Sequence, residues 1–331
     1  MSNQPSVASV NLYPKANANL RYFALWYFAI LLIVWTIVGH LFLGFEQSYA
    51  HSIAGMVSAM ATQLLLEWVD SIATKRPARF AGGIVNFLNF MPPAIITGLA
   101  CAMLLYPNDR IAPIVFASVL SIASKVLFRI RLQNGSLHHF FNPSNFGIVA
   151  TLLLLPWVGQ APPYQFTANI TGIWHWVLPM GILASGIFVH SRATGRLPLC
   201  MAWVIGFIAQ GVIRSWLTGN PWYVPLMPMS SATFVLFTLF MVPDPATTPI
   251  LPKRQVAFGV AIAAVYGVLQ MMHVVFGLFL SLILVCTIRG VLIAVMSWMS
   301  STSKEEAVGN EYVAPLGQPE RVPAAEVIGA S

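Results

Sequence analysis

The sequence predicts an all-α polytopic membrane protein of about ten transmembrane helices, arranged as two inverted five-helix repeats with both termini cytoplasmic. Three observations lead there. Of 331 residues, 57% are hydrophobic and 8% charged, with a mean hydropathy of +0.75, whereas a soluble domain carries about a quarter of its residues as charges. The apolar residues gather in blocks of about 20, the length that crosses a bilayer. Lysine and arginine sit in the gaps between those blocks, in a one-sided alternation.

The elements follow in order. Residues 1–20 are polar and read as a disordered cytoplasmic N-terminus, longer than the charged start of a signal peptide. The membrane domain is expected over residues 21–298, in halves of about 21–158 and 172–298. Tyr22–Leu43 is too long for a signal core and reads as a retained helix. Tyr49–Val69 ends beside Glu67 and Asp70, which face Lys75 and Arg76. Met91–Tyr106 opens on Met91-Pro92-Pro93, and Ile111–Phe128 runs into a basic gap. Phe146–Val158 is short, about 13 residues. Gly172–Val189 carries Trp174 and Trp176 near one boundary, where aromatic belts lie. Leu197–Trp216 and Leu226–Val242 follow. The last run is far too long for one crossing and splits near His273 into Val256–Met271 and Phe276–Val295. Residues 299–331, rich in Ala, Pro, Glu and Val, read as a disordered cytoplasmic tail.

With the N-terminus inside, all but Arg110 and Arg214 of the 17 lysines and arginines fall on the inner side. That bias orients a multi-pass protein of a cell inner (plasma) membrane. It also explains the net charge of +7 without nucleic acid, since the basic residues form no single patch. Cys101, Cys200 and Cys286 lie singly inside apolar blocks, with no CxxC, CxxCH or Cys/His cluster. No metal centre is therefore expected. No GxGxxG, P-loop or GxSxG motif is present, so no soluble catalytic domain is expected.

The chain also repeats itself. Sliding Met91–Asn108 forward by 136 positions lays Met91 on Met227, Pro92 on Pro228, Thr97 on Thr233, Pro107 on Pro243 and Asn108 on Asp244, without a gap. The first copy belongs to the third crossing and the second to the eighth, five crossings later. An odd number of crossings per unit inverts the second half.

Two polar breaks interrupt the apolar pattern. In Asn142-Pro143-Ser144-Asn145, Pro143 excludes Asn142 from helix, and Ser144 or Asn145 can cap the helix that follows. The result is either a capped start at the inner surface or a helix N-terminus set within the membrane, a seat for an anion. In Pro243-Asp244-Pro245, two prolines fix a turn. Asp244 there either tightens the turn, accepts from a ligand N–H, or pairs with Arg129, Arg131 or Lys253. Ser230, Ser231 and Thr233 lie near the outer end of the eighth block. Their hydroxyls either bond back to helix carbonyls or line a polar cavity, as the pairing of Thr233 with Thr97 suggests.

These residues carry a resemblance. The order is a helix ending in Tyr106-Pro107, a basic loop, Phe141-Asn142-Pro143-Ser144-Asn145-Phe146-Gly147, then Ser230-Ser231-Ala232-Thr233 followed by Asp244-Pro245-Ala246-Thr247-Thr248. It resembles the D subunit of Rnf electron-transport complexes and the B subunit of the sodium-pumping NADH:quinone reductase, over roughly residues 50–290. The nearest likeness is to compact RnfD-like membrane proteins encoded with enediyne antibiotic biosynthesis. The resemblance implies a ten-helix inverted-repeat fold that moves electrons through flavin, with other membrane redox subunits or biosynthetic enzymes as partners.

In the family, covalent flavin mononucleotide hangs on a threonine in the outer segment between helices five and six. Here that segment is Gly159–Thr171, and Thr167 and Thr171 lack the motif. Ser230–Thr233 precedes the Asp-Pro turn and so matches the family's helix-eight motif instead of its attachment site. No covalent flavin is expected. The expectation is a non-covalent flavin (flavin mononucleotide or riboflavin) or quinone near Thr97, Asn142, Pro143, Ser144, Asn145, Ser230, Ser231, Thr233 and Asp244. The competing expectation is a transporter or channel that uses the same inverted-repeat cavity for a small molecule. A third is a scaffold for a biosynthetic or redox assembly.

Overall fold

Proline in the first turn of a helix is a start signal, because that N–H has no intrahelical partner to lose. Five helices use it: α4 (Pro92–Leu104), α5 (Ala112–Leu127), α6 (Pro143–Leu154), α8 (Leu197–Thr218) and α10 (Pro252–Met271). The others are α1 (Ala18–Val38), α2 (Tyr49–Ala73), α3 (Ile84–Phe90), α7 (Trp174–Val189), α9 (Ala232–Leu236) and α11 (Gly277–Glu311). The computed structural model describes residues 18–131, 137–162 and 164–311. Among the described residues, strand is confined to two short antiparallel pairs. They are β1 (Leu105–Tyr106) with β4 (Gly159–Gln160), and β2 (Arg129–Arg131) with β3 (Leu137–His139).

The fold is all-α, and its outside is apolar while several interior faces are polar. On α5, Ser118, Ser121 and Ser124 are buried, whereas Phe116, Val119, Val126 and Leu127 are exposed. Trp174, Trp176, Trp216 and Trp222 also lie on the surface. That inversion suits a chain solvated by lipid. Among the described residues, six helices are long and apolar enough to cross a membrane: Tyr22–Leu43, Tyr49–Ala73, Ile84–Leu104, Leu197–Thr218, Pro252–Met271 and Gly277–Met299. A seventh forms if Val224–Ser230 and Thr233–Met241, bent by 74°, make one span.

The ten sequence blocks therefore correspond to helices of unequal length. α5 and α6 are apolar but short, and α7 has Pro179 in its interior. The eighth block is not one helix. A 3-10 segment, Val224–Ser230, gives way at Ser231, whose backbone is extended, and α9 restarts beyond it. The first copy of the repeat instead runs unbroken from Pro92 to Leu104. At the C-terminal end, α11 continues to Glu311, past the expected boundary at residue 298. The remaining parts of the two expected tails, residues 1–17 and 312–331, lie outside the described residues.

Three helices end in π turns: α1 continues as Gly39–Leu43, α7 as His190–Thr194 and α9 as Phe237–Met241. The first two are closed by left-handed glycines, Gly44 at φ 69° and Gly195 at φ 63°. Small residues set the close crossings. A Cβ on Gly55 of α2 would come within 2.6 Å of the Gly98 carbonyl oxygen on α4, and a Cβ on Gly98 would collide with the Gly55 backbone. At Gly147 of α6, the Ala117 carbonyl and Ser121 hydroxyl of α5 leave no room for one.

Two runs of helices pack by the same scheme. In α1, α2, α4, α5, α6 and again in α7, α8, α9 with its 3-10 lead, α10, α11, the first member lies on the third. The second lies on the third and fourth, and the fourth lies on the fifth. The runs meet through equivalent members, α1 on the π end of α7 and α6 on α11. The Tyr27 hydroxyl donates to the Ser185 carbonyl at 3.3 Å, and the Asn145 amide donates to the Phe279 carbonyl at 3.0 Å.

Candidate ligand cavity

Where the runs face each other, a cavity of about 1740 Å³ opens. Its apolar wall comes from Phe28 and Leu32 of α1, Ile96 and Ala100 of α4, and Phe240 beside α9. Its charged groups are Glu67, Asp70, Arg79, Lys125, Arg129, Arg196 and Asp244. All of them come from the helix ends and connections assigned by sequence to the basic side.

Beside the cavity the π turn of α9 presents backbone carbonyls. A π turn displaces carbonyls from their ordinary α-helical partners, and a carbonyl left bare among apolar helices costs about 1–3 kcal/mol. Here three elements serve the π turn of α9. Cys200 donates its thiol to the Thr238 carbonyl at 3.6 Å, His190 Nε2 lies 2.6 Å from the Leu239 carbonyl, and the Asn142 amide donates to the Met241 carbonyl at 3.1 Å. A carbonyl only accepts, so His190 carries its proton on Nε2 and its Nδ1 accepts from the Thr194 hydroxyl at 2.8 Å. The indole N–H of Trp203 donates to the Thr238 hydroxyl at 2.8 Å.

Asn142 is thus a staple. Its carbonyl oxygen also accepts from the Ser144 hydroxyl at 2.9 Å and the Asn145 N–H at 3.1 Å, capping α6. Pro143 has no N–H, and the Phe146 N–H donates to the Asn142 backbone carbonyl. The first turn of α6 is therefore largely satisfied by the chain itself, a capped start as the sequence allowed, but the cap is Asn142 and not the expected Ser144 or Asn145, which lie inside the first turn. Asn142, Pro143 and Ser144 line the cavity. Asn145 is fully buried behind them; its amide reaches α11 and its Oδ1 has no partner among the described residues.

Thr97 also lines the cavity, with its hydroxyl bonded back to the Pro93 carbonyl at 2.7 Å. Asp244 lines it too. The Asp244 carboxylate accepts the Ala246 N–H at 3.1 Å and the Thr247 hydroxyl at 3.0 Å, tightening its own turn. Of the ion pairs suggested for it, those with Arg129 and Lys253 are not formed among the described residues, and the Arg131 side chain lies outside them. Ser230, Ser231 and Thr233 sit at the other end of α9 and do not line this cavity. Ser230 is exposed and donates to the Met227 carbonyl, while Ser231 donates to the Pro228 carbonyl and caps α9 through the Phe234 N–H at 3.1 Å. The structure brings Thr97, Asn142, Pro143, Ser144 and Asp244 to one cavity and sets the other four candidates apart.

Sequence reasoning missed Gln63, Asn89, Lys125, His139 and His190, all of which line the cavity. Gln63 donates to the Phe90 carbonyl at 2.6 Å, and Asn89 accepts from the Trp26 indole at 3.0 Å. The signal for Gln63 was a lone amide inside an apolar block, a residue type that hydrocarbon does not solvate. The loop after α2 is held by ions. Glu67 accepts from Arg76 at 2.6 Å and from the Arg79 N–H at 2.9 Å, and Arg76 also pairs with Asp70. Those hydrogen bonds, to Glu67 first and then Asp70, hold the Arg76 guanidinium above its ordinary value. His139, in β3, is pushed below the ordinary imidazole value by burial, against the opposing pull of Asp244.

Compared with known proteins, the chain matches no protein-family model, and no curated protein is similar to it.

Proposed function

We propose that this chain is an RnfD/NqrB-like membrane subunit that holds a flavin or quinone, without a covalent bond, in the cavity between its two halves. The observation that carries this reading is the cavity itself. It is larger than an ordinary small-molecule pocket of about 300–1,000 Å³, has aromatic walls in Phe28, Phe90 and Phe240, and gathers Thr97, Ser144 and Asp244 at its polar edge. A planar ring fits such walls, and a flavin would bring electron-transfer chemistry that no side chain here supplies. Partner proteins then deliver and remove electrons, in a redox complex or a natural-product assembly such as an enediyne pathway.

The same reading takes the two runs as inverted five-helix halves in an inner membrane, with ten crossings and cytoplasmic termini. The shared packing scheme, the π ends of α1 and α7 and the contact of equivalent members across the interface support it. The short α5 and α6 then cross within the cover of their neighbours.

The test is a visible absorption spectrum of the purified protein, before and after incubation with riboflavin or flavin mononucleotide. A bound flavin band is expected, and a preparation colourless under both conditions contradicts the flavin. The 74° bend at Ser231 favours a second one, because broken helices beside a central cavity are the architecture of secondary transporters. Uptake of a small molecule into liposomes holding only this protein supports transport; the redox reading predicts none.

A further inference from the structure

Lys125 brings to the cavity a charge that no described residue pairs. It sits in the last turn of α5 and lines the cavity wall. Among the described residues no carboxylate oxygen lies within 4.0 Å of its ammonium, because the ion pairs there join Arg76 to Glu67 and Asp70, and Arg79 to Glu67. Both acids of α2 are thereby neutralised by arginines of the following loop. Asp244 acts on Lys125 only from beyond ion-pairing distance, and both its oxygens are engaged in its own turn.

Arg129 opens β2 one helical turn further on and adds a second positive charge to the same wall, opposite His139 in the β2–β3 pairing. Its Nε donates to the Lys125 carbonyl at 2.7 Å, which ties the two residues together. A cation set between apolar helices is costly without an anion. The negative end of the α5 dipole offsets only part of that charge.

We propose that Lys125 and Arg129 form a phosphate subsite in the cavity, so that its ligand carries a phosphate on the end facing the basic side. The proposal rests on the reading above that the cavity holds a flavin. The phosphate comes either from flavin mononucleotide or from an anionic lipid headgroup, and the two sources separate by experiment. Riboflavin is the comparison ligand, since it keeps the ring and lacks the phosphate.

Dissociation constants for flavin mononucleotide and riboflavin are measured by fluorescence quenching on the full chain in phosphatidylcholine nanodiscs. The expected result is about tenfold tighter binding of flavin mononucleotide, the size of one charge-assisted contact. Lys125→Met erases that gap with riboflavin binding unchanged, and Lys125→Arg keeps it. Nanodiscs containing phosphatidylglycerol that remove the gap in the native chain, with riboflavin binding unchanged, identify the lipid as the phosphate source and support the subsite. Equal affinity for the two flavins in phosphatidylcholine overturns the subsite while leaving the flavin reading intact. A gap that survives Lys125→Met also overturns it. Binding of neither flavin overturns both.

Discussion

His139 shows how one residue on the cavity wall responds to its surroundings. Burial is the largest influence on its imidazole, and Lys125, His138 and Arg129 push in the same direction. Asp244 opposes them, and the folded value ends below the ordinary one of 6.5. The sign of the linkage follows. Above the unfolded value both states hold a neutral ring and stability is full. As pH falls below it the unfolded chain takes up the proton first, so stability declines until the folded value is passed. Thermal unfolding in detergent is expected at a lower temperature at about pH 5.5 than at about pH 7.5, and His139→Gln is expected to shrink that difference. An unchanged difference in the variant removes His139 from the account. Asn142 illustrates the opposite case, a residue at the cavity whose polar atoms are used within the protein. It caps α6 and covers the Met241 carbonyl, so its part at the site is to hold the walls in place.

At the scale of elements, glycines and π turns decide what packs on what. The α2–α4 crossing depends on Gly55 and Gly98, whose backbones touch. Gly98→Ala is expected to destabilise the protein by about 1–3 kcal/mol, as overpacking does. Gly181→Ala, in α7 with open space around it, is expected to be neutral or stabilising by up to about 1 kcal/mol. Thermal unfolding of the pair checks this, and equal effects would mean that the crossing is not tight. Pro92 and Pro143 were legible beside helix starts because their effect is local, whereas the helix that starts at Pro252 was read from Val256. The break at Ser231 was not legible. It depends on Ser231 capping α9 and on Cys200, His190 and Asn142 arriving from other elements to cover the π turn. Those partners lie far away in sequence, and no local pattern announces them.

At the scale of the whole molecule, composition and the block pattern made an all-α chain with long apolar helices readable in advance, because lipid imposes helix length on any sequence that enters it. The cavity was half readable. Thr97, Asn142, Pro143, Ser144 and Asp244 stood out as polar or helix-breaking residues beside apolar blocks, and they line it. Ser230, Ser231 and Thr233 stood out for the same reason but occupy the far end of α9. Composition says that a hydroxyl is near a membrane helix, not which end of a cavity it faces. Lys125 was hidden among the basic residues that topology alone accounts for, and His139, next to the Asn142-Pro143 break, had no pattern of its own to mark it.

In the proposed topology the broken element Val224–Met241 runs from the outer side to the basic side, where the cavity opens. Ala246 and Asn220 are both exposed and flank that element, and the native Cys101, Cys200 and Cys286 are buried. Single cysteines at the two positions, Ala246→Cys and Asn220→Cys, can be treated in intact cells with a membrane-impermeant maleimide. Asn220→Cys is expected to be labelled, and Ala246→Cys only after the membrane is opened. Labelling of both in intact cells, or of neither until the membrane is opened, would contradict that topology.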